Sequence, residues 1–102
     1  KGHVGNVLGN QLLKSGTSIG ANYREALRAS SRKHFVSIIQ IVERETDETL
    51  YWLELLIESE LVNADRLQPL ISECRELLAI ITATAKSAKR RVDKNSKSKI
   101  QN

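Results

Sequence analysis

Ile38-Ile39-Gln40-Ile41-Val42-Glu43-Arg44-Glu45-Thr46-Asp47-Glu48-Thr49-Leu50-Tyr51-Trp52-Leu53-Glu54-Leu55-Leu56-Ile57 is the stretch that decides the fold. Within it Ile38, Ile39, Val42, Leu50, Leu53, Leu56 and Ile57 recur at helical steps, and Phe35 extends the row upstream. Side chains spaced in this way fall on one face of a helix at about 100° per residue. The spacing predicts a helix from near Arg32 to near Ser59, which at about 1.5 Å per residue is a rod of roughly 40 Å. The row is interrupted at Glu45, Thr46 and Thr49, with Glu43, Asp47 and Glu48 alongside. These acids are expected to oppose Arg or Lys from a neighbouring helix or subunit, the alternative being a solvated acidic face.

Outward from this rod, the same periodicity gives two more helices. Upstream, over residues 7–29, Leu8, Leu12, Ile19, Tyr23, Ala26 and Leu27 share one side. Downstream, a third helix is predicted to begin at Asp65, as N-cap or first-turn acid, with Leu67, Leu70, Ile71, Cys74, Leu77, Leu78, Ile81, Ala85 and Ala88 as its stripe. Pro69 is tolerable if it lies in the first turn, where its missing N–H costs little. The connections Ala29-Ser30-Ser31 and Leu61-Val62-Asn63-Ala64 are short, which favours antiparallel neighbours. The fold class expected is therefore all-α, an antiparallel up-and-down helical bundle. Residues 1–91 form its single domain, and residues 92–102, which have no apolar period, form a basic flexible tail. Val36, Ile41, Tyr51, Trp52 and Ile80 lie off the main stripes, so a second apolar surface needs a second cover: a further helix, another subunit, or both.

Composition narrows the function classes. No apolar run approaches the about 20 residues of a membrane span and no signal-peptide pattern is present, so a cytoplasmic protein with no membrane partner is expected. The single cysteine, Cys74, sits in an apolar stripe and reads as core. His3 and His34 stand outside any ligand spacing, and the Glu-x-x-His motifs of di-iron bundles are missing. No Ser-His-Asp set, Walker loop or GxGxxG occurs. The expectation is a protein that is not an enzyme and uses neither metal nor cofactor.

The net charge of +4 conceals a segregation. Residues 1–34 carry Lys1, Lys14, Arg24, Arg28, Arg32 and Lys33 against Glu25, for +5; residues 35–79 total −7; residues 80–102 total +6. Basic ends flanking an acidic middle suit an anionic partner or charge-matched subunit contacts. Arg24, Arg28, Arg32 and Lys33, together with Lys89, Arg90 and Arg91, are the candidate phosphate contacts of an RNA or DNA site. In an antiparallel bundle the two clusters meet if the first and last helices run parallel. No aromatic platform for stacking bases is evident among them in the sequence.

Two features of the first helix call for explanation. Gly5, Gly9, Gly16 and Gly20 plot within about 60° of one another, a smooth edge that reads as tight helix packing, since each interior Gly costs about 1 kcal/mol relative to Ala. Gln11, Lys14, Ser18, Asn22 and Glu25 form a polar stripe that is either a hydrogen-bonded contact between helices or subunits, or an ordinary wet face.

The segment Gly9-Asn10-Gln11-Leu12-Leu13-Lys14-Ser15-Gly16-Thr17-Ser18-Ile19-Gly20-Ala21-Asn22-Tyr23-Arg24-Glu25-Ala26 resembles the four-helix-bundle family of 23S rRNA intervening-sequence proteins. The likeness continues through Ser31, Phe35, Glu45 to Thr49, Tyr51 to Leu56 and Glu73 to Lys89. The resemblance implies long antiparallel helices in a ring-like homo-oligomer, typically a pentamer. It also implies similarity to the accessory protein of diversity-generating retroelements, which binds nucleic acid through a basic surface. Lys14, Ser18, Asn22 and Glu25 are carried over as interface or structural candidates. Family members begin with another helix before the position of Lys1, so a bundle whose first helix is missing, with an exposed apolar groove or altered assembly, is expected. The functional expectation is a non-catalytic homo-oligomeric bundle that binds RNA through a basic surface; the alternative is a protein-binding scaffold with no nucleic-acid contact.

Overall fold

The computed structural model describes the backbone of residues 2–101 and the side chains of residues 2–95. Three helices follow one another: α1 (Gly2–Ala26), α2 (Arg32–Glu58) and α3 (Ala64–Gln101). They run up, down and up in an array of 61 × 19 × 17 Å. Both outer helices pack on α2 and not on each other, so α2 is the central helix of an open antiparallel bundle. The all-α fold class expected from the periodicity is the one found.

Local chemistry sets the helix ends. Ser31 has extended backbone and caps α2, its Oγ accepting from the His34 amide at 3.0 Å. His34 reaches back, its Nδ1 accepting from the Ser30 amide at 3.3 Å. At the other end Leu61 N donates to Leu56 O at 3.2 Å and Glu60 N to Ile57 O at 3.0 Å. These are the two bonds of a Schellman stop, with Glu60 at φ 62° in the left-handed position that glycine usually takes. The cap of α3 is Asn63, whose Oδ1 accepts from the Asp65 amide at 2.8 Å, and not Asp65 itself. Pro69 is accordingly the sixth residue of α3, past the first turn where it was expected. Its side is exposed, so water can satisfy the carbonyl that its missing N–H leaves free.

Val42, Thr46, Leu53 and Ile39 are the most deeply buried residues of α2. One apolar cluster joins Ala26 of α1, Ile38, Ile39 and Val42 of α2, and Ile81 and Ala85 of α3. A second joins Leu53 to Ile71 and Cys74, with Leu12, Leu50, Ile57 and Leu67 against it. Full burial of one such aliphatic side chain contributes about 1.5–3 kcal/mol. Between the clusters lies a polar layer. Thr46 donates to the Val42 carbonyl at 2.7 Å, and Thr49 Oγ1 lies 2.8 Å from the Glu45 carbonyl and 3.0 Å from Ser15 Oγ. The interruption expected at Thr46 and Thr49 is thus a continuation of the buried row, because each hydroxyl turns back on its own helix and leaves its methyl group for packing.

α3 does not end near Arg91, where the apolar row stops; its backbone is helical through Gln101. This corrects the helix boundary drawn from the pattern. Arg91 lies beside Arg32, the first residue of α2, so beyond this level α3 overruns the helix it packs on. With nothing to pack against, no apolar period is required there. The side chains of residues 96–102, the end of the expected tail, lie outside the described residues.

Candidate nucleic-acid interface

The antiparallel course of α2 and α3 places the start of one beside the far part of the other, and the turn after α1 delivers Arg24 and Arg28 to the same end. Arg32 and Arg91 line one open cleft of about 430 Å³, together with Phe35, Ala83, Thr84, Ser87 and Ala88. The two basic clusters of the sequence therefore meet in space. Arg24, Arg28, Arg32, Lys33, Lys89, Arg90 and Arg91 are all exposed. The ion pair found among the described residues, Arg75 with Glu54 at 2.9 Å, involves none of them. That pair is itself solvent-exposed and contributes at most about 1 kcal/mol.

The cleft-facing positions of α3 are 83, 84, 87, 88 and 91, one helical row. Lys89 and Arg90 lie off this row and add to the surrounding field without entering the cleft. Phe35 is the aromatic that the sequence reading did not associate with the basic residues. The missing signal was register: only with Arg32 beside Arg91 does Phe35 fall opposite Thr84 and Ala88. The N-terminus of α2 adds the partial positive charge of its first-turn amides.

A second feature lies between α1 and α3. Because the backbones of these helices do not approach each other closely, an apolar groove runs between them over α2, in two sections of about 400 Å³ and 380 Å³ that share Ile19 and Leu77. Leu13, Tyr23 and Leu27 on one wall and Leu70, Leu77 and Ile80 on the other are exposed, Leu13 at 66% and Ile80 at 63%. Tyr23, Leu27, Leu70 and Leu77 belong to the apolar stripes expected to be core and stand open here, while Ile80 is one of the off-stripe residues expected to form a second apolar surface. Gly16 and Gly20 lie on its wall, and a Cβ added at Gly5, Gly9, Gly16 or Gly20 would meet no atom within 4 Å. The glycine edge therefore makes no close helix contact within the chain, which corrects the expectation of tight packing.

The polar stripe of α1 has a different setting. Lys14 and Ser18 share a cleft of about 210 Å³ with Gln11, Ser15, Glu45 and Glu48, so the acids of α2 do face a lysine, without an ion pair within 4.0 Å. Asn22 Nδ2 donates to the Ser18 carbonyl at 2.9 Å, and Glu25 is exposed. Ser15, beside this stripe and buried in the Thr49 contact, is the polar residue of α1 that the pattern did not single out.

Cys74 is buried, its Sγ lies 3.6 Å from the Thr46 carbonyl, and burial pushes its thiol pKa up, with Asp47 and Glu54 adding to the rise. A thiol held protonated is a poor nucleophile. Among the described residues no group of three or more His, Cys, Asp or Glu is placed to hold a metal ion. No helix is long and apolar enough to cross a membrane.

An open antiparallel bundle with a basic end defines an all-α bundle protein. The chain belongs to the 23S rRNA-intervening sequence protein family, whose profile matches residues 4–83. It is similar to a protein of unknown function from the S23 ribosomal protein family of Bacteroides thetaiotaomicron VPI-5482. That crystal structure superposes with a TM-score of 0.75 at 40% identity, over 78% of this chain and 74% of the other. No curated protein matches the chain.

Proposed function

We propose that the protein is a non-catalytic, homo-oligomeric helical bundle that binds RNA through its basic end. The observation that carries this reading is the convergence of Arg24, Arg28, Arg32 and Lys33 with Lys89, Arg90 and Arg91 at one end, all exposed and without an ion pair among the described residues. Unpaired cations of this density attract phosphates, and each contact adds to the salt dependence of binding. Assembly is supported by the groove between α1 and α3, whose exposed leucines and Ile80 gain by being covered by another copy. The family resemblance implies a pentamer. Titration of a labelled RNA at two salt concentrations tests the binding: affinity should fall steeply as salt rises, and undetectable or salt-insensitive binding removes the proposal. Light scattering with and without nuclease tests the assembly.

The same groove favours a second reading, a scaffold that recruits a polypeptide without touching nucleic acid. Capture of protein partners that survive nuclease digestion, with no RNA bound in titration, would select it.

A further inference from the structure

We infer that the cleft between Arg32 and Arg91 takes one unpaired nucleotide of a single-stranded RNA, its base against Phe35 and its flanking phosphates on the two arginines. The inference rests on the proposal that the basic end binds RNA, and adds to it which form of RNA is bound and where. A basic surface that only tracks phosphates needs charge and no depth. Here the basic residues border an open cleft of about 430 Å³ that also carries an aromatic side chain. Phe35 lines this cleft, packs on its other contacts against the apolar cluster of Ala26, Ile39 and Ile81, and is only partly buried. Small side chains at Ala83, Ser87 and Ala88 leave room for a planar group across from it. A base gains from stacking on an aromatic ring whatever its identity, so the site would be tolerant of sequence. Arg32 and Arg91 come from different helices and stand at one cavity with no carboxylate within 4.0 Å, in position to hold the backbone on either side of the base. A duplex keeps its bases stacked inside and cannot offer one to the cleft without unpairing.

The test uses the full chain, an unstructured 12-nucleotide RNA, and a blunt RNA duplex of the same sequence. Ser87→Trp fills the cleft from an exposed helical position without altering any charge, and thermal melting checks that it folds as the unsubstituted protein does. The unsubstituted protein should prefer the single strand by about tenfold. Ser87→Trp should lower single-strand binding about tenfold more than duplex binding, and so abolish that preference. Arg91→Gln should lower the slope by about one. Equal binding of both RNAs, or an equal loss for both with Ser87→Trp, overturns the inference while RNA binding at the basic end stands. Binding of neither RNA removes the underlying proposal as well.

Discussion

Ser15 Oγ of α1 and Thr49 Oγ1 of α2 lie 3.0 Å apart, both buried, and join helices across 34 positions of sequence. Each hydroxyl also reaches a carbonyl of its own helix, Leu12 at 3.2 Å and Glu45 at 2.8 Å. The two hydroxyl protons are shared among these three contacts, in a layer that separates two apolar clusters and links α1 to α2. Thr49→Val keeps the shape and removes the hydroxyl, leaving Ser15 with its own helix alone. It should cost about 1 kcal/mol in urea denaturation. The double variant with Ser15→Ala should cost less than the sum of the singles, because no buried polar group is then left half-satisfied. Strict additivity would show that the contact carries no coupling.

Glu60 holds a left-handed backbone at the stop of α2, a conformation costing an ordinary L-residue about 1–2 kcal/mol. Its side chain is exposed and makes no ion pair among the described residues. Glu60→Gly should raise stability by about 1 kcal/mol, read as a higher denaturation midpoint. A loss would mean that the extra freedom of glycine in the unfolded chain outweighs the strain.

Gly16 and Gly20 each face open space on the groove wall. In dilute protein Gly16→Ala and Gly20→Ala should each gain about 1 kcal/mol from helix propensity. If a second copy packs closely into the groove, the same methyl groups should weaken assembly, so light scattering should report a smaller mass at equal concentration. A gain in stability with assembly unchanged would show that the glycine edge is not part of the subunit contact.

The Cys74 thiol is raised above its ordinary value by burial, with the carboxylates of Asp47 and Glu54 adding to the shift. A folded-state pKa above the unfolded one means that the native chain holds this proton to higher pH. The thiol's contribution is fully present below pH 9, near the unfolded value of 9.0, and is lost as pH rises through the folded value. Denaturation midpoints should therefore fall above pH 9, with a shallower fall in Cys74→Ala. A thiol reagent at neutral pH should label the native protein far more slowly than the denatured one. Equal labelling rates would contradict the burial of this side chain.

The sequence alone determined the three helices and their antiparallel order, because apolar period and short connections are local properties that survive into any packing. It also determined that the charges divide into blocks, since that needs only counting. What it left undecided depends on contacts between distant residues. Thr46 and Thr49 read as an interruption until the backbone carbonyls of Val42 and Glu45 took their hydroxyls. Tyr23, Leu70 and Leu77 read as core until the groove between α1 and α3 left them exposed. Phe35 packs against the core as its place in the apolar row implies, and only the register of α3 on α2 shows that it also lines the cleft shared by Arg32 and Arg91. Periodicity states which face of a helix is apolar; only the tertiary arrangement states whether another element lies against that face, because burial belongs to pairs of surfaces and not to one.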